Sequence, residues 1–305
     1  MKKRMTSLFL ALALCLGLLP ATALAADNDT VYVGGVELTG TATAPAYATT
    51  NTSGDVITEG ASADKYNIKW DGSTLTLKDA YITNAAHEDN YLHPVEGAAI
   101  GVANSSGAAE LTIELESDNT IEDVSLGIWV YSSTTGYASL TIMGNGSLTA
   151  SVSANSGILV QSNGGNATLS IENAEVTTTS SFSYGVLVQA KDSSNASLTV
   201  NGGSLTVTGS GTNFAGIQLQ LGSSNYGSGT PSLTVSGNAI VKASGDEGGI
   251  SDNSNTDIQI GVGDNSSGGI VFDGNKGTVY GSVTLDESLT INQGETLTIP
   301  EGSSL

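Results

Sequence analysis

Arginine and cysteine are almost absent from this chain of 305 residues. Arg4 is the only arginine and Cys15 the only cysteine, and both lie within the first 25 residues. Beyond that segment the chain can form neither a disulfide nor a thiolate, and six basic residues stand against thirty acidic ones. Because phosphate binding requires a basic surface, this balance excludes nucleic acid as a partner and disfavours attachment to an anionic lipid surface.

Residues 1–25 have the pattern of a secretory signal peptide. Three basic residues precede an apolar run at 8–19, and Ala23-Leu24-Ala25 provides a small-x-small cleavage site. The run is too short to span a bilayer, and Cys15 follows Leu14 inside it, which argues against a lipid-attachment site. We therefore expect a secreted protein that does not insert into a membrane once the signal is removed.

A short triplet of an apolar, a hydroxyl and an apolar residue recurs along the chain. Its first residues are Leu75, Leu111, Leu140, Leu169, Leu198 and Leu233, and the middle four are spaced by 29 residues each time. Two further apolar clusters follow in each unit, at Ile82, Ile121, Leu148, Val176, Leu205 and Ile240, and at Ile100, Ile128, Ile158, Val186, Ile217 and Ile250. Short alternating clusters bounded by Gly, Asn and Ser predict strands, and a period of this length indicates a solenoid.

Three strands per repeat predict an all-β fold, a right-handed single-stranded parallel β-helix of about six coils spaced by roughly 4.8 Å. An antiparallel β-sandwich array is the alternative, but it does not explain the constant offsets. We assign the coils to residues 70–268 and an N-terminal cap of lead-in strands around Gly34-Gly35 to residues 26–69. Residues 269–305 are predicted to form shorter turns without a capping element. We therefore expect either a longer protein, which we favour, or an end that pairs with a partner.

Outward-facing strand positions are where a binding site would lie. On the first strands they form a column of hydroxyl residues, which we interpret as a structural ladder: Thr76, Thr112, Thr141, Ser170, Thr199 and Thr234. On the third strands they form two columns: Trp129, Leu159, Leu187 and Gln218, and beside them Tyr131, Gln161, Gln189 and Gln220. An exposed apolar and aromatic column beside glutamines could stack on sugars and hydrogen-bond them. These eight residues are the predicted ligand-binding site, unless the insert at 85–97 folds over them.

No metal or other cofactor is predicted. Calcium is the one candidate, because oxygen ligands suit it and five acidic residues lie close together in sequence: Asp246, Glu247, Asp252, Asp257 and Asp264. Their spacing fits neither a twelve-residue calcium loop nor a glycine-rich nonapeptide, so a solvated acidic loop is the preferred interpretation. We interpret His87 and His93, with Glu88 and Asp89, in the same way.

Catalysis is not expected, although β-helices host polysaccharide lyases and hydrolases. A lyase would need a strong base, whereas beyond the first 25 residues the chain has no arginine and only six scattered lysines. A hydrolase would need two carboxylates facing one groove, whereas the outward strand positions are hydroxyl, amide or apolar. Asn255-Thr256-Asp257 and Gly245-Asp246-Glu247 resemble polygalacturonase motifs, but in inverted order and without the required histidine. No catalytic residues are predicted.

Several motifs indicate a family. They are Val31-Tyr32-Val33-Gly34-Gly35-Val36, Tyr66-Asn67-Ile68-Lys69-Trp70, the recurrent Ser-Leu-Thr-Ile/Val units and Leu297-Thr298-Ile299-Pro300-Glu301-Gly302. With them the chain resembles secreted surface proteins of gut Gram-positive bacteria that carry pectate-lyase-like β-helix repeats and are described as carbohydrate-binding or adhesin-like. The resemblance implies an extracellular, non-catalytic, adhesin-like module at the cell surface that contacts glycans or another surface. The alternatives are a structural spacer for a domain beyond residue 305 and a diverged polysaccharide lyase or hydrolase.

Overall fold

The structure is a computed structural model that describes residues 30–85, 95, 97–133, 135–191, 194–222, 229–252, 258–263, 267–285 and 288–305. The predicted signal peptide, both histidines, Asp257 and Asp264 lie outside these residues. The regular structure of the described chain is β-strand throughout. Within the same ranges no helix has the length and apolar character needed to cross a membrane.

Twenty-seven strands follow one another along the described chain. They are β1 (Thr30–Val33), β2 (Val36–Thr39), β3 (Ala46–Thr50), β4 (Val56–Ile57), β5 (Ile68–Trp70), β6 (Thr74–Leu77), β7 (Tyr81–Ile82), β8 (Ala98–Asn104), β9 (Ala109–Leu115), β10 (Asp118–Val124), β11 (Leu126–Ser132), β12 (Ala138–Gly144), β13 (Ser147–Val152), β14 (Ile158–Ser162), β15 (Ala167–Glu172), β16 (Glu175–Ser180), β17 (Val186–Ala190), β18 (Ala196–Asn201), β19 (Ser204–Thr208), β20 (Ile217–Leu221), β21 (Pro231–Ser236), β22 (Ala239–Ser244), β23 (Ile250–Asp252), β24 (Gln259–Val262), β25 (Gly269–Asp273), β26 (Lys276–Tyr280) and β27 (Thr296–Thr298).

The strands from β6 to β25 build the predicted solenoid. Each strand from β6 to β22 pairs in parallel with the strand three places further on, so the coils share three sheets. The sheet of third strands contains β8, β11, β14, β17, β20 and β23, which are six strands and hence five steps from coil to coil. The right-handed parallel β-helix predicted from the sequence is confirmed.

Residues that lie 29 apart in the sequence pair directly in the sheet formed by the first strands of successive coils. Leu111, Leu140, Leu169 and Leu198 pair directly in successive coils, and each is at most 2% exposed. They belong to one apolar cluster that runs through the interior of the coils. Each such side chain contributes roughly 1.5–3 kcal/mol by leaving water, so the column of leucines explains why the period is so regular.

The N-terminal strands pair antiparallel with the first coil. β1 and β2 form a hairpin closed by Gly34 and Gly35, whose φ angles of 57° and 78° suit a primed turn. β1 then pairs with β8, and β5 pairs with β6 on one side and β3 on the other. These strands therefore occupy edges that the first coil would otherwise leave unpaired.

The register of the first coil differs from the sequence alignment. Leu75 pairs with Ile113, not Leu111, so Thr76 lies opposite Glu114 and is only 2% exposed. The prediction that Thr76 continues the outward threonine column is therefore wrong. The antiparallel pairing of β6 with β5, absent from later coils, accompanies this shift of two residues.

Two second-strand assignments are also shifted. Asn119, not Ile121, pairs with Leu148, and its buried amide accepts from the Ala80 N–H and donates to the Ser117 carbonyl. An internal asparagine is stable here because those partners satisfy it. In the sixth coil Val241 is the buried partner of Leu205, and Ile240 points outward beside it.

The C-terminal segment departs from the coil pattern. β25 still pairs in parallel with β22, but β26 returns antiparallel to β25. Gly274, with a φ of 57°, permits this tight turn. β27 adds beside β26, while residues 281–285 and 288–295 form no strand between them. The last residues fold back, since the Val283 N–H donates to the Ser304 carbonyl at 3.0 Å.

Candidate functional site

The third-strand face is the outward side of the sheet formed by β8, β11, β14, β17 and β20. The structure brings the eight predicted site residues together there as two columns in register: Trp129, Leu159, Leu187 and Gln218, and Tyr131, Gln161, Gln189 and Gln220. With a strand spacing of about 4.8 Å, four rows extend over roughly 14 Å along the axis of the helix.

The apolar column is largely covered. Leu159 is 7% exposed and Gln218 5% exposed, while Trp129 and Leu187 are half-buried. Leu159 packs with Ala98 and Leu126 in a small cluster outside the main core, with Trp129 and Leu187 against it. The expectation of a freely exposed apolar column is therefore wrong for Leu159 and Gln218, because neighbouring outward residues of the same sheet pack over it.

Part of the first-coil insert also lies on this face. Val95 is fully buried, and a Cβ added to Gly101 would approach its Cβ to 2.6 Å. Gly101 is the register partner of Trp129, so Val95 takes the place of an outward side chain in the first row. Glycine is needed at position 101 because the side chain of Val95 occupies the space that a Cβ would fill. The rest of the insert, apart from its two ends, lies outside the described residues.

Trp129 has an unsatisfied donor. Its indole Nε1 is buried and has no hydrogen-bond partner in the described part of the chain. The indole ring lies 5.5 Å from the Tyr131 ring, with the planes tilted by 42°. A buried N–H left without a partner costs about 1–3 kcal/mol.

The second column offers polar groups to solvent. Tyr131, Gln161, Gln189 and Gln220 are all half-buried. Asn163 Nδ2 donates to the Tyr131 hydroxyl at 2.9 Å, which holds the ring at the head of the column. Gln161 and Gln189 line a polar concavity of about 160 Å³ with Ser162, Asn163, Ala190, Lys191 and Gly222. Asn163 and Lys191 were not predicted, although both lie where third strands end in polar loops.

The strands of the third-strand face carry no charged residue. In this acidic chain, β8, β11, β14, β17 and β20 contain no acidic or basic residue. The other two sheets carry outward carboxylates at Glu110, Glu114, Glu172, Asp118, Glu122 and Glu175. An uncharged or weakly anionic ligand would therefore meet the least electrostatic repulsion on the third-strand face.

Among the described residues, the calcium candidates Asp246, Glu247 and Asp252 do not form a group that could hold a metal ion. Asp246 Oδ2 accepts from the Gly211 N–H at 3.1 Å, and Glu247 lies near the Tyr184 phenol. In the described ranges, no group of three or more His, Cys, Asp or Glu side chains could hold a metal ion. Because Asp257 lies outside those ranges, the calcium hypothesis stays a prediction.

The fold defines the class of protein: a parallel β-solenoid, consistent with pectate-lyase-like repeats. No family model, curated protein or solved structure matches the chain. The likeness to secreted Gram-positive surface proteins therefore rests on the sequence motifs alone.

Proposed function

We propose that this protein is an extracellular, non-catalytic surface module that binds glycans along the third-strand face. The observation that carries the proposal is the column Tyr131, Gln161, Gln189 and Gln220, aligned in register on the one strand face without charged residues. Each coil repeats one amide, so a polymer that repeats its own hydroxyl groups can make the same contact several times.

The chemistry of the column suits a saccharide. A glutamine amide both donates and accepts hydrogen bonds, as sugar hydroxyls do, and half-buried amides lose little solvation on contact. The rings of Tyr131 and Trp129 supply an apolar surface with a polar tip at one end of the column. Lys191 adds one positive charge at the edge of the concavity. These groups favour a neutral linear glycan that runs along the helix axis.

The test is binding of the mature chain to a glycan array and to insoluble polysaccharides, with Gln161→Ala/Gln189→Ala as the site variant. A net hydrogen bond contributes about 0.5–1.5 kcal/mol, so loss of two amides should weaken binding roughly 5- to 150-fold. The matched control is Thr149→Ala/Thr177→Ala, which shortens two exposed side chains in neighbouring coils of another sheet.

Circular dichroism and thermal unfolding of both variants establish that the coils are intact. Binding lost in the glutamine variant and kept in the threonine variant supports the proposal. Equal binding by both variants places the ligand elsewhere. Absence of binding on every panel, with and without calcium, rejects the glycan proposal and leaves the structural spacer.

A further inference from the structure

A second surface feature lies at the opposite edge of the third-strand sheet, in the turns that lead into β17, β20 and β23. We define the aromatic corner as Phe182, Tyr184, Phe214, Asp246 and Glu247. Three successive coils contribute to it, two with aromatic rings and the third with carboxylates. All three turns lie within the described residues, and none of them borders the glutamine column.

The rings are packed together but remain accessible. Tyr184 and Phe214 meet edge to face with centroids 5.0 Å apart. Phe182 is 70% exposed, more than any other large apolar side chain of the described chain. Leaving such a ring in water forgoes the free energy that burial would provide.

The turn itself does not require aromatic residues. The corresponding turn of the preceding coil, between β13 and β14, is Ser153-Ala154-Asn155-Ser156-Gly157. This turn leads into the next parallel strand with small residues only. Its Ser156 hydroxyl contacts the hydroxyl of Ser183, which lies between Phe182 and Tyr184 in the next coil. The path of the backbone therefore does not explain why Phe182 and Tyr184 are aromatic.

No described residue neutralises the carboxylates beside the rings. Neither Asp246 nor Glu247 forms an ion pair with a described residue, and both are exposed. Lys242, the nearest lysine in sequence, lies 5.1 Å from the centre of the Phe272 ring instead. Burial and the charge of Glu247 raise the pKa of Tyr184, so its hydroxyl stays neutral.

We propose that the aromatic corner binds a basic peptide segment of another protein through an arginine or lysine side chain. A cation placed over an aromatic face is attracted by the ring quadrupole, and two carboxylates within the same corner add Coulomb attraction. A guanidinium suits the corner best, since it stacks on rings and also pairs with carboxylates. This site is separate from the glycan face and does not depend on that proposal.

The test uses a short fluorescein-labelled peptide with two arginines in a Gly/Ser background, and the same peptide with citrulline in place of arginine. Fluorescence anisotropy at low salt should show binding of the first and not of the second. Phe182→Ala should weaken binding about two- to five-fold, the range expected of an exposed cation–π contact. Asp246→Asn/Glu247→Gln should weaken it about fivefold for each charge removed; the asparagine retains an acceptor for the Gly211 N–H.

The matched control is Glu172→Gln/Glu175→Gln, which removes the same net charge from other sheets. Binding unchanged in this control, but weakened in both corner variants, supports the site. An equal loss in the two charge variants would show general attraction to an acidic rod and overturn the proposal. So would unchanged binding by Phe182→Ala, or no binding of the arginine peptide to the unaltered chain.

Discussion

Substitution of Gly101 by alanine tests whether the first-coil insert rests on the third-strand face. Gly101 does not have a positive φ, so an alanine there suffers no backbone strain. In a strand, the change from Gly to Ala should by itself stabilise the protein by about 0.5–1 kcal/mol. The new Cβ would, however, lie 2.6 Å from Val95 Cβ and 2.7 Å from Val95 Cγ2. Overpacking of this kind costs about 1–3 kcal/mol.

The net expectation for Gly101→Ala is therefore a loss of about 0.5–2 kcal/mol in the free energy of unfolding. Val95→Gly alone should cost about 1.5–3 kcal/mol, since it removes a fully buried valine side chain. In the Val95→Gly background the sign of the first substitution should reverse, and alanine at 101 should stabilise by about 0.5–1 kcal/mol.

Urea denaturation of the four proteins, followed by circular dichroism, gives the coupling energy between the two positions. A coupling of about 1–3 kcal/mol is expected from the clash. If Gly101→Ala has the same effect with and without the Val95 side chain, the two residues are not in contact, and the insert does not cover the first row of the face.

Three further predictions address the core, one turn and one phenol. Leu198→Ala should lower the free energy of unfolding by about 2–5 kcal/mol, while Thr199→Ala, at the adjacent outward position, should change it by less than about 1 kcal/mol; equal losses in urea denaturation would contradict the assigned facing. Burial raises the pKa of Asp71, but hydrogen bonds from Thr74 and Ser73 and the charge of Lys69 outweigh it and hold that pKa below its usual value. The ionised Asp71 carboxylate therefore stabilises the fold above a pH of about 3.9, and this stabilisation is lost as the pH falls through the lower pKa of the folded state. Asp71→Asn should lower the free energy of unfolding by up to about 1 kcal/mol at neutral pH and should not change it in strong acid. A loss of stability that persists in strong acid would contradict this linkage. Glu247→Gln should lower the pKa of Tyr184, which burial and then Glu247 raise, as measured from phenolate absorbance with Tyr184→Phe as the reference; an unchanged titration would place Glu247 away from the ring.

Much of the site could be predicted from periodicity alone. Once Trp129, Leu159 and Leu187 occupy the same offset in successive repeats, a parallel ladder must align them, and the same holds for Tyr131, Gln161 and Gln189. Exposure could not be predicted in this way. It depends on side chains from other offsets, such as Leu126 and Ala98 beside Leu159, and on Val95 from an insert that no repeat specifies.

The aromatic corner could not be predicted from the sequence for a related reason. Phe182 and Glu247 lie in turns of five residues and Phe214 in a turn of eight, and the intervals between the three residues do not follow the 29-residue period. Their proximity arises because each turn leads into a strand whose register is fixed elsewhere, by the buried residues of the coil. The register of the sheets determines which turn residues lie next to each other, so the spacing of those residues in the sequence does not predict their contacts.

The sequence by itself determined the period, the three strands of each coil and the residues that face the core, because burial of apolar side chains repeats with the backbone. The tertiary structure decided the first-coil register, since Thr76 lies between β5 and β9 instead of in the outward column. It also decided that Val241, and not Ile240, enters the core. Both outcomes follow from strand pairing between segments far apart in the chain, where adjacent apolar residues leave the choice of facing open.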